Sequence, residues 1–334
     1  YVRSRAEQWG YSPNQVELYE AATRWRREHD LKPGGLSSFD LHLLLVDVQR
    51  DFCFPEGALY VAGRSGRGAI EDSGRIAEFI YRNLAFIKNL TTTMDSHFAY
   101  QIFFPSFWVR EDGLPAQPYT VVTADDVASG RFQPNPDIAS WLCGGDHDWL
   151  KRQALDYCRR LERSGKYTLY LWPPHCILGS DGHALVGLVH EARMFHAFAR
   201  SAQSWTELKG SNPLTENYSI LRPEVIVRHD GRKLAGKNTD LIRTLLSADA
   251  VAIAGEAASH CVRSTIEDLL TEIQEVDPSL VDKVYVLSDC MSPVVVPGAD
   301  FTLQTEDALR HFADRGIHLV KSTDEIESWP GIGL

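Results

Sequence analysis

The sequence predicts a three-layer α/β/α sandwich on a mostly parallel sheet. Two observations carry that fold class. Apolar runs of strand length alternate along the chain with segments whose apolar residues recur at helical spacing. Several of the runs, LHLLLVDV (41–48) and AVAIAG (250–255) above all, are apolar almost throughout. A strand apolar on both faces belongs in a sheet covered on both sides, and strands separated by helices are joined by βαβ crossovers.

The elements follow in order. Residues 1–37 hold a helix over 14–29 closed by KPGG, and they read as an appended arm on a domain spanning 38–334. Within the domain, 41–48 is a buried strand and 70–88 has the helical spacing. LTTTM (90–94) and YTLYL (167–171) have strand composition, and 184–203 reads as a helix. EVIVR (224–228) follows as a strand, then a helix near 239–247, the strand AVAIAG and a helix from Cys261 to about residue 275. KVYVLSD (283–289), a helix over 304–315 and the strand IHLV (317–320) complete the series. Residues 106–166 break the rhythm with Pro, Gly, several Trp and a charged helix at 149–164, so they read as an insertion between two core strands.

Composition narrows the function. The 44% hydrophobic and 24% charged content is that of a globular chain long enough for a large core. With 34 basic against 45 acidic side chains the net charge is −11, which opposes phosphate backbones, so no nucleic-acid partner is expected. No apolar run reaches the roughly 20 residues of a membrane helix, and the first residues lack a signal peptide's apolar centre. Six scattered cysteines without a CxxC pair suit the reduced thiols of a cytoplasmic enzyme.

In a parallel sheet, ligands gather at the carboxyl ends of the strands. The first strand ends in VDVQRDF, with Asp47 at its edge and Asp51 and Phe52 beyond. The second ends in MDSH, where Asp95 and His97 are spaced to point the same way, and WPPHC closes a third with His175 and Cys176. Asp95, His97 and His175 make a ligand trio for a zinc- or iron-like ion with a position open to water or substrate. The loop ELKGSNPLTENYS carries Lys209 and Glu216. In AVAIAGEAASHCVRSTIED, Cys261 sits where a strand turns into a helix, and the amides of a helix start lower a thiol's pKa and hold anions. A lysine beside that thiol stabilises the thiolate, and a carboxylate such as Asp47 can receive and return its proton. Singly, each of these residues reads equally as a packed thiol, a hydrogen-bonded histidine or a solvated lysine.

VDVQRDF, MDSH, WPPHC, KGSNPLTENYS and GEAASHCVRSTIED, in that order, resemble the nicotinamidase branch of the isochorismatase-like cysteine hydrolases. The resemblance covers roughly residues 40–104 and 170–320. It implies a catalytic triad of Asp47, Lys209 and Cys261, and an oxyanion hole from the amides of Ala257 and Cys261 behind a cis Glu256–Ala257 peptide. It implies metal ligands Asp95, His97 and His175 for a divalent ion, zinc first, with iron or manganese as alternatives. It places Phe52, Trp172, Gln101, Tyr218 and His260 around the substrate. The implied reaction is hydrolysis of nicotinamide to nicotinate and ammonia through a cysteine thioester, in a homo-oligomer. Two departures stand out. Where many relatives carry a further His after the metal DxH, this chain reads DSHFAYQIFF with Gln101 as the nearest polar residue, and the 106–166 insertion far exceeds the loop expected there. Another small amide, ureido, carbamoyl or heteroaromatic, is therefore the alternative substrate, and a non-catalytic ligand-binding protein the distant one.

Overall fold

The computed structural model describes residues 1–165 and 167–333. Its centre is a six-stranded parallel sheet of β1 (Leu41–Val46), β2 (Ile87–Asp95), β3 (Ser204–Lys209), β4 (Ala250–Gly255), β5 (Val284–Leu287) and β6 (His318–Val320). The strand order is β6-β5-β4-β1-β2-β3, so the order reverses between β1 and β4. In register, Leu41 pairs with Ile87 on one side and Ala250 on the other.

The helices are α1 (Gln15–Glu28), α2 (Gly68–Arg82), α3 (His147–Ser164), α4 (Gly187–Arg200), α5 (Thr239–Ser247), α6 (Arg263–Val276) and α7 (Thr302–Asp314). Because successive strand side chains point to opposite faces, the run of β1 feeds two cores. Leu43 and Leu45 pack with Ile76 and Ile80 of α2 and Leu188 of α4, while Leu44 and Val46 pack with Leu241 of α5 and Ile266 of α6. Each such fully buried side chain contributes about 1.5–3 kcal/mol, which explains why both faces of this strand are apolar.

Among the described residues no helix is long and apolar enough to cross a membrane. In the first residues α1 starts at the cap Asn14, whose side chain accepts from the amides of Val16 and Glu17. Arg5 and Tyr11 reach the buried Glu191 of α4, which also takes a 2.9 Å hydrogen bond from Tyr81.

The structure corrects four readings of the sequence. Residues 224–228 are irregular chain with one isolated bridge, Val227 to Lys233. Their amides are taken by other partners: that of Glu224 goes to the Glu216 carbonyl and that of Val225 to Thr215 Oγ1. The stretch 167–171 contributes only Leu169–Tyr170, paired antiparallel with Val121–Val122 of the insertion and outside the main sheet. The missing strand is β3, whose sequence SWTELK gave no apolar run because it is the sheet's edge, with Trp205 60% and Leu208 59% exposed. Finally, 70–88 divides: α2 ends where Asn83 Nδ2 donates to the Phe79 carbonyl at 2.9 Å, and β2 begins at Ile87.

Residues 106–165 hold α3, the short helix Ala124–Ser129 and the strand pair Trp108–Arg110 with Phe132–Pro134. From α3, Tyr157 OH accepts the Glu216 amide and Gln153 Oε1 the His229 amide, and Arg228 lies over the Trp149 ring at 4.7 Å. The segment therefore packs on the 210–238 loop from outside.

Candidate active site

The crevice where the strand order reverses is formed by the chain just after β1 and β4. Gly255 closes β4 at φ 121°, and a Cβ there would lie 2.0 Å from the Val46 carbonyl oxygen, so only glycine lets the two strand ends lie this close. Asp47 follows β1 at φ 46°, a region that Asp tolerates better than most residues.

Three sequence-expected residues meet here. Lys209 Nζ lies 2.8 Å from Asp47 Oδ2, 2.9 Å from Asp95 Oδ1, 2.8 Å from the Asn217 carbonyl and 3.6 Å from Cys261 Sγ. The register of β2 on β3 pairs Asp95 with Lys209 and sets this meeting. All four side chains are buried. Burial opposes the Lys209 charge, yet Asp47 and Asp95 together hold its pKa well above the ordinary value. Burial raises Asp47, with Lys209 and the Thr93 hydroxyl at 2.5 Å pulling the other way, so its carboxylate is a stronger base than in water. Burial also raises the Cys261 thiol, and Lys209 is the group that lowers it.

Cys261 is not the first residue of its helix, as the sequence suggested. It lies in a π-type turn, Ala258–Val262, that precedes α6, with the Val262 amide donating to the Ala257 carbonyl five residues back. The Glu256–Ala257 peptide is cis. The Ala257 N–H, which faces no strand or helix partner, has no hydrogen bond among the described residues.

Beside this group stand Asp95, His97 and His175, with one ligand atom from each all mutually within 4.8 Å. The Nδ1 of His97 faces the Gly210 carbonyl at 2.9 Å, and that of His175 faces the Pro173 carbonyl at 2.8 Å. A carbonyl there fixes the proton on Nδ1 and leaves the Nε2 lone pair free, the tautomer of a metal ligand. Both Nε2 atoms approach Asp95 Oδ2, at 2.9 and 3.7 Å, and His97 Nε2 is buried without a hydrogen-bond partner. Two lone-pair atoms at 2.9 Å need a cation or proton between them, so the trio fits a divalent ion. Burial opposes the charge of Asp95, but His97, Lys209 and His175 hold it well below the usual carboxylate range.

Backbone devices place these ligands. Gly210, at φ 84°, brings its carbonyl to His97, whose ring a Cβ would strike at 2.4 Å. The Gln49 amide clamps both main-chain groups of Asp95, at 2.8 and 2.7 Å. His175 lies in irregular chain and not at the end of a sheet strand, a further correction. It is held there by Asp51 Oδ2, which accepts the Cys176 amide at 2.6 Å, and by a bridge from Ile177 to His97.

A small cavity, with room for about 30 Å³, opens between the two groups. Phe52, Trp172, Tyr218 and His260 line it, together with Phe103 and Glu216, which sequence reasoning left outside the pocket. Trp172 Nε1 donates to Tyr218 OH at 2.9 Å, and burial lowers the His260 pKa to about 4, keeping the ring neutral. Glu216 is raised well above the ordinary range by burial, and its Oε2 has no partner among the described residues. Gln101 does not line the cavity: it is buried in the wall, with neither amide atom bonded among the described residues. None of the described residues of 106–166 lines it either.

No family model matches the chain. In sequence it is 30% identical over 102 residues to the nicotinamidase of Escherichia coli, a match spanning 30% of this chain and 39% of that protein's length. Among solved structures it resembles the yeast nicotinamidase bound to the inhibitor nicotinaldehyde, with a TM-score of 0.51 and 19% identity over 84% of this chain and 99% of the other. A second structure of the yeast nicotinamidase matches with a TM-score of 0.50, again at 19% identity and with the same coverage of both chains. The chain has the fold of these two structures. The sequence similarity to a nicotinamidase is confined to those 102 residues.

Proposed function

We propose that this chain is a cysteine amidohydrolase acting on a small amide, with nicotinamide as the first substrate and nicotinate and ammonia as products. The observation that carries this reading is the convergence of Asp47, Lys209 and Cys261 on one buried point beside a small aromatic cavity.

Each residue then has a step. Asp47 takes the Cys261 proton, and Lys209, held charged by two acids, stabilises the thiolate that results. The thiolate attacks the amide carbon. The oxygen gains charge within reach of the unpaired Ala257 N–H and the amide at Cys261, a contact worth about 3 kcal/mol per donor in serine enzymes. Asp47 returns its proton to the nitrogen, the C–N bond breaks and ammonia leaves a thioester. Water attacks that thioester while Asp47 accepts its proton, the C–S bond breaks, and the proton passes back to Cys261. Asp95, His97 and His175 would hold a divalent ion, zinc first, which supplies a Lewis-acid centre able to fix a heteroaromatic ring nitrogen. The same reading places the protein in the cytoplasm, in keeping with six free cysteines, and in a homo-oligomer.

The test is ammonia release from nicotinamide and from a panel of ureido, carbamoyl and heteroaromatic amides, by wild type and by Cys261→Ala. Wild type is expected to turn over nicotinamide fastest, with loss of at least about 10³-fold in the variant. Full activity in Cys261→Ala would overturn the mechanism, and a different preferred amide would overturn the substrate.

A further inference from the structure

Behind the turn that carries Ala257 lies a second pair of buried acids that the mechanism above does not use. Glu256, the last residue before that turn, is fully buried, as is Asp72 of α2. Their carboxyl groups meet at Ser292, which donates its amide to one and its hydroxyl to the other. The donors around them are unequally divided. Asp72 receives Arg75 Nη2 at 2.7 Å and the Ser292 hydroxyl at 2.5 Å, while Glu256 receives only the Ser292 amide, at 3.2 Å on Oε2. Glu256 Oε1 has no donor among the described residues. One guanidinium and two acids leave one negative charge uncompensated unless one acid keeps its proton, and two neighbouring carboxylates in a dry site do not both ionise. Asp72, with two strong donors, is the carboxylate; Glu256, with one oxygen bare of donors, is the acid.

We propose that Glu256 and Asp72 share one proton, carried on Glu256, and that this pair is a positioning device for the oxyanion-binding turn. The inference rests on the hydrolase reading for its functional half only. Mechanically, the pair joins three segments. Glu256 is anchored to β1 through its amide on the Val46 carbonyl at 2.7 Å, Asp72 belongs to α2, and Ser292 bonds both acids while its carbonyl accepts the Ala258 amide at 2.8 Å. The Ala257 N–H is thus framed on both sides by residues the pair holds. The other titratable groups facing the pair are Arg75 and Glu71 on α2, Cys53 after β1, Tyr60 and Cys290. Burial pushes both cysteine thiols up, so at neutral pH they add no charge.

The direct test is an infrared difference spectrum of wild type against Glu256→Gln at neutral pH, in H2O and D2O. A protonated-carboxyl band in wild type, shifted by D2O and absent from the variant, is expected; no such band overturns proton sharing. The functional test is kcat and KM for nicotinamide as a function of pH. Gln can still donate to Asp72, so Glu256→Gln should keep the neutral-pH kcat within about threefold and lose the alkaline break that proton release gives wild type. Glu256→Met removes the donor and should lower kcat about tenfold or more with little change in KM, because a misplaced oxyanion donor costs the transition state. An unchanged kcat in Glu256→Met, or an alkaline break retained by Glu256→Gln, overturns the positioning role. If wild type hydrolyses no amide, the hydrolase reading fails while the infrared result still decides the shared proton.

Discussion

Two pairs of buried acids lie near Cys261, and the fold supplies them with donors unequally. In front, Asp47 and Asp95 share Lys209, whose side chain is 2% exposed and whose N–H groups are all spent within the site. Behind, Asp72 and Glu256 share Arg75, which is partly exposed and divides its donors with Glu71 and the Asp289 carbonyl. The front pair also has Thr93 and two histidines; the back pair has Ser292 alone. Burial penalises all four carboxylates, so what separates them is how many donors the backbone delivers. Asp95, beside Lys209 and two histidines, has its pKa held well below the usual carboxylate range, whereas burial pushes that of Glu256, with a single amide donor, well above it.

Removing the front cation breaks the comparison most severely. Lys209→Met leaves Asp47 and Asp95 buried without a counter-charge, and is expected to cost about 3–5 kcal/mol in urea unfolding and to abolish ammonia release by about 10³-fold or more. Retained activity would mean the thiolate needs no lysine. The next effect sharpens the role of Asp95. Zinc added to chelator-treated protein should raise the melting temperature, by the equivalent of about 3 kcal/mol at a hundredfold excess over Kd, and elemental analysis should find close to one ion per chain. Asp95→Ala should abolish both responses, and an unresponsive wild type would remove the ion from the site.

Buried histidines supply a third case. His42 and His196 have pKa values lowered to about 4 by burial, below the ordinary 6.5. As pH falls, the unfolded chain binds these protons first, so the stability present above pH 6.5 is lost between about 6.5 and 4. Chemical denaturation across that window should show the decline, less steep in His42→Gln. An unchanged slope in the variant would exclude His42 as a source.

What the sequence could reveal followed burial. Asp47, Asp95 and Cys261 were legible because β1 and β4 are apolar on both faces and β2 lies largely buried beside them, so the polar residues at their ends stand out. The strand that carries Lys209 was not, because an edge strand exposes Trp205 and Leu208 and shows no core pattern. EVIVR had strand composition but met side chains and loop carbonyls in place of a neighbouring strand. Gln101 stands close in sequence to His97 yet is buried outside the cavity, and Glu216 belongs to a loop whose packing against α3 no local pattern encodes. The Asp72–Glu256 contact joins residues from distant elements, which no local pattern encodes.

The segment at 106–165 touches the Glu216 loop through Tyr157, Gln153 and Trp149, and none of its described residues lines the cavity. Under the proposed function, the reacting residues stand on the ends of the sheet, while the loop that brings Glu216 to the cavity wall is backed by a separate stretch of chain. On that reading, sequence change in that stretch can retune the cavity while Asp47, Lys209 and Cys261 stay fixed, so chemistry and selectivity can evolve at different rates.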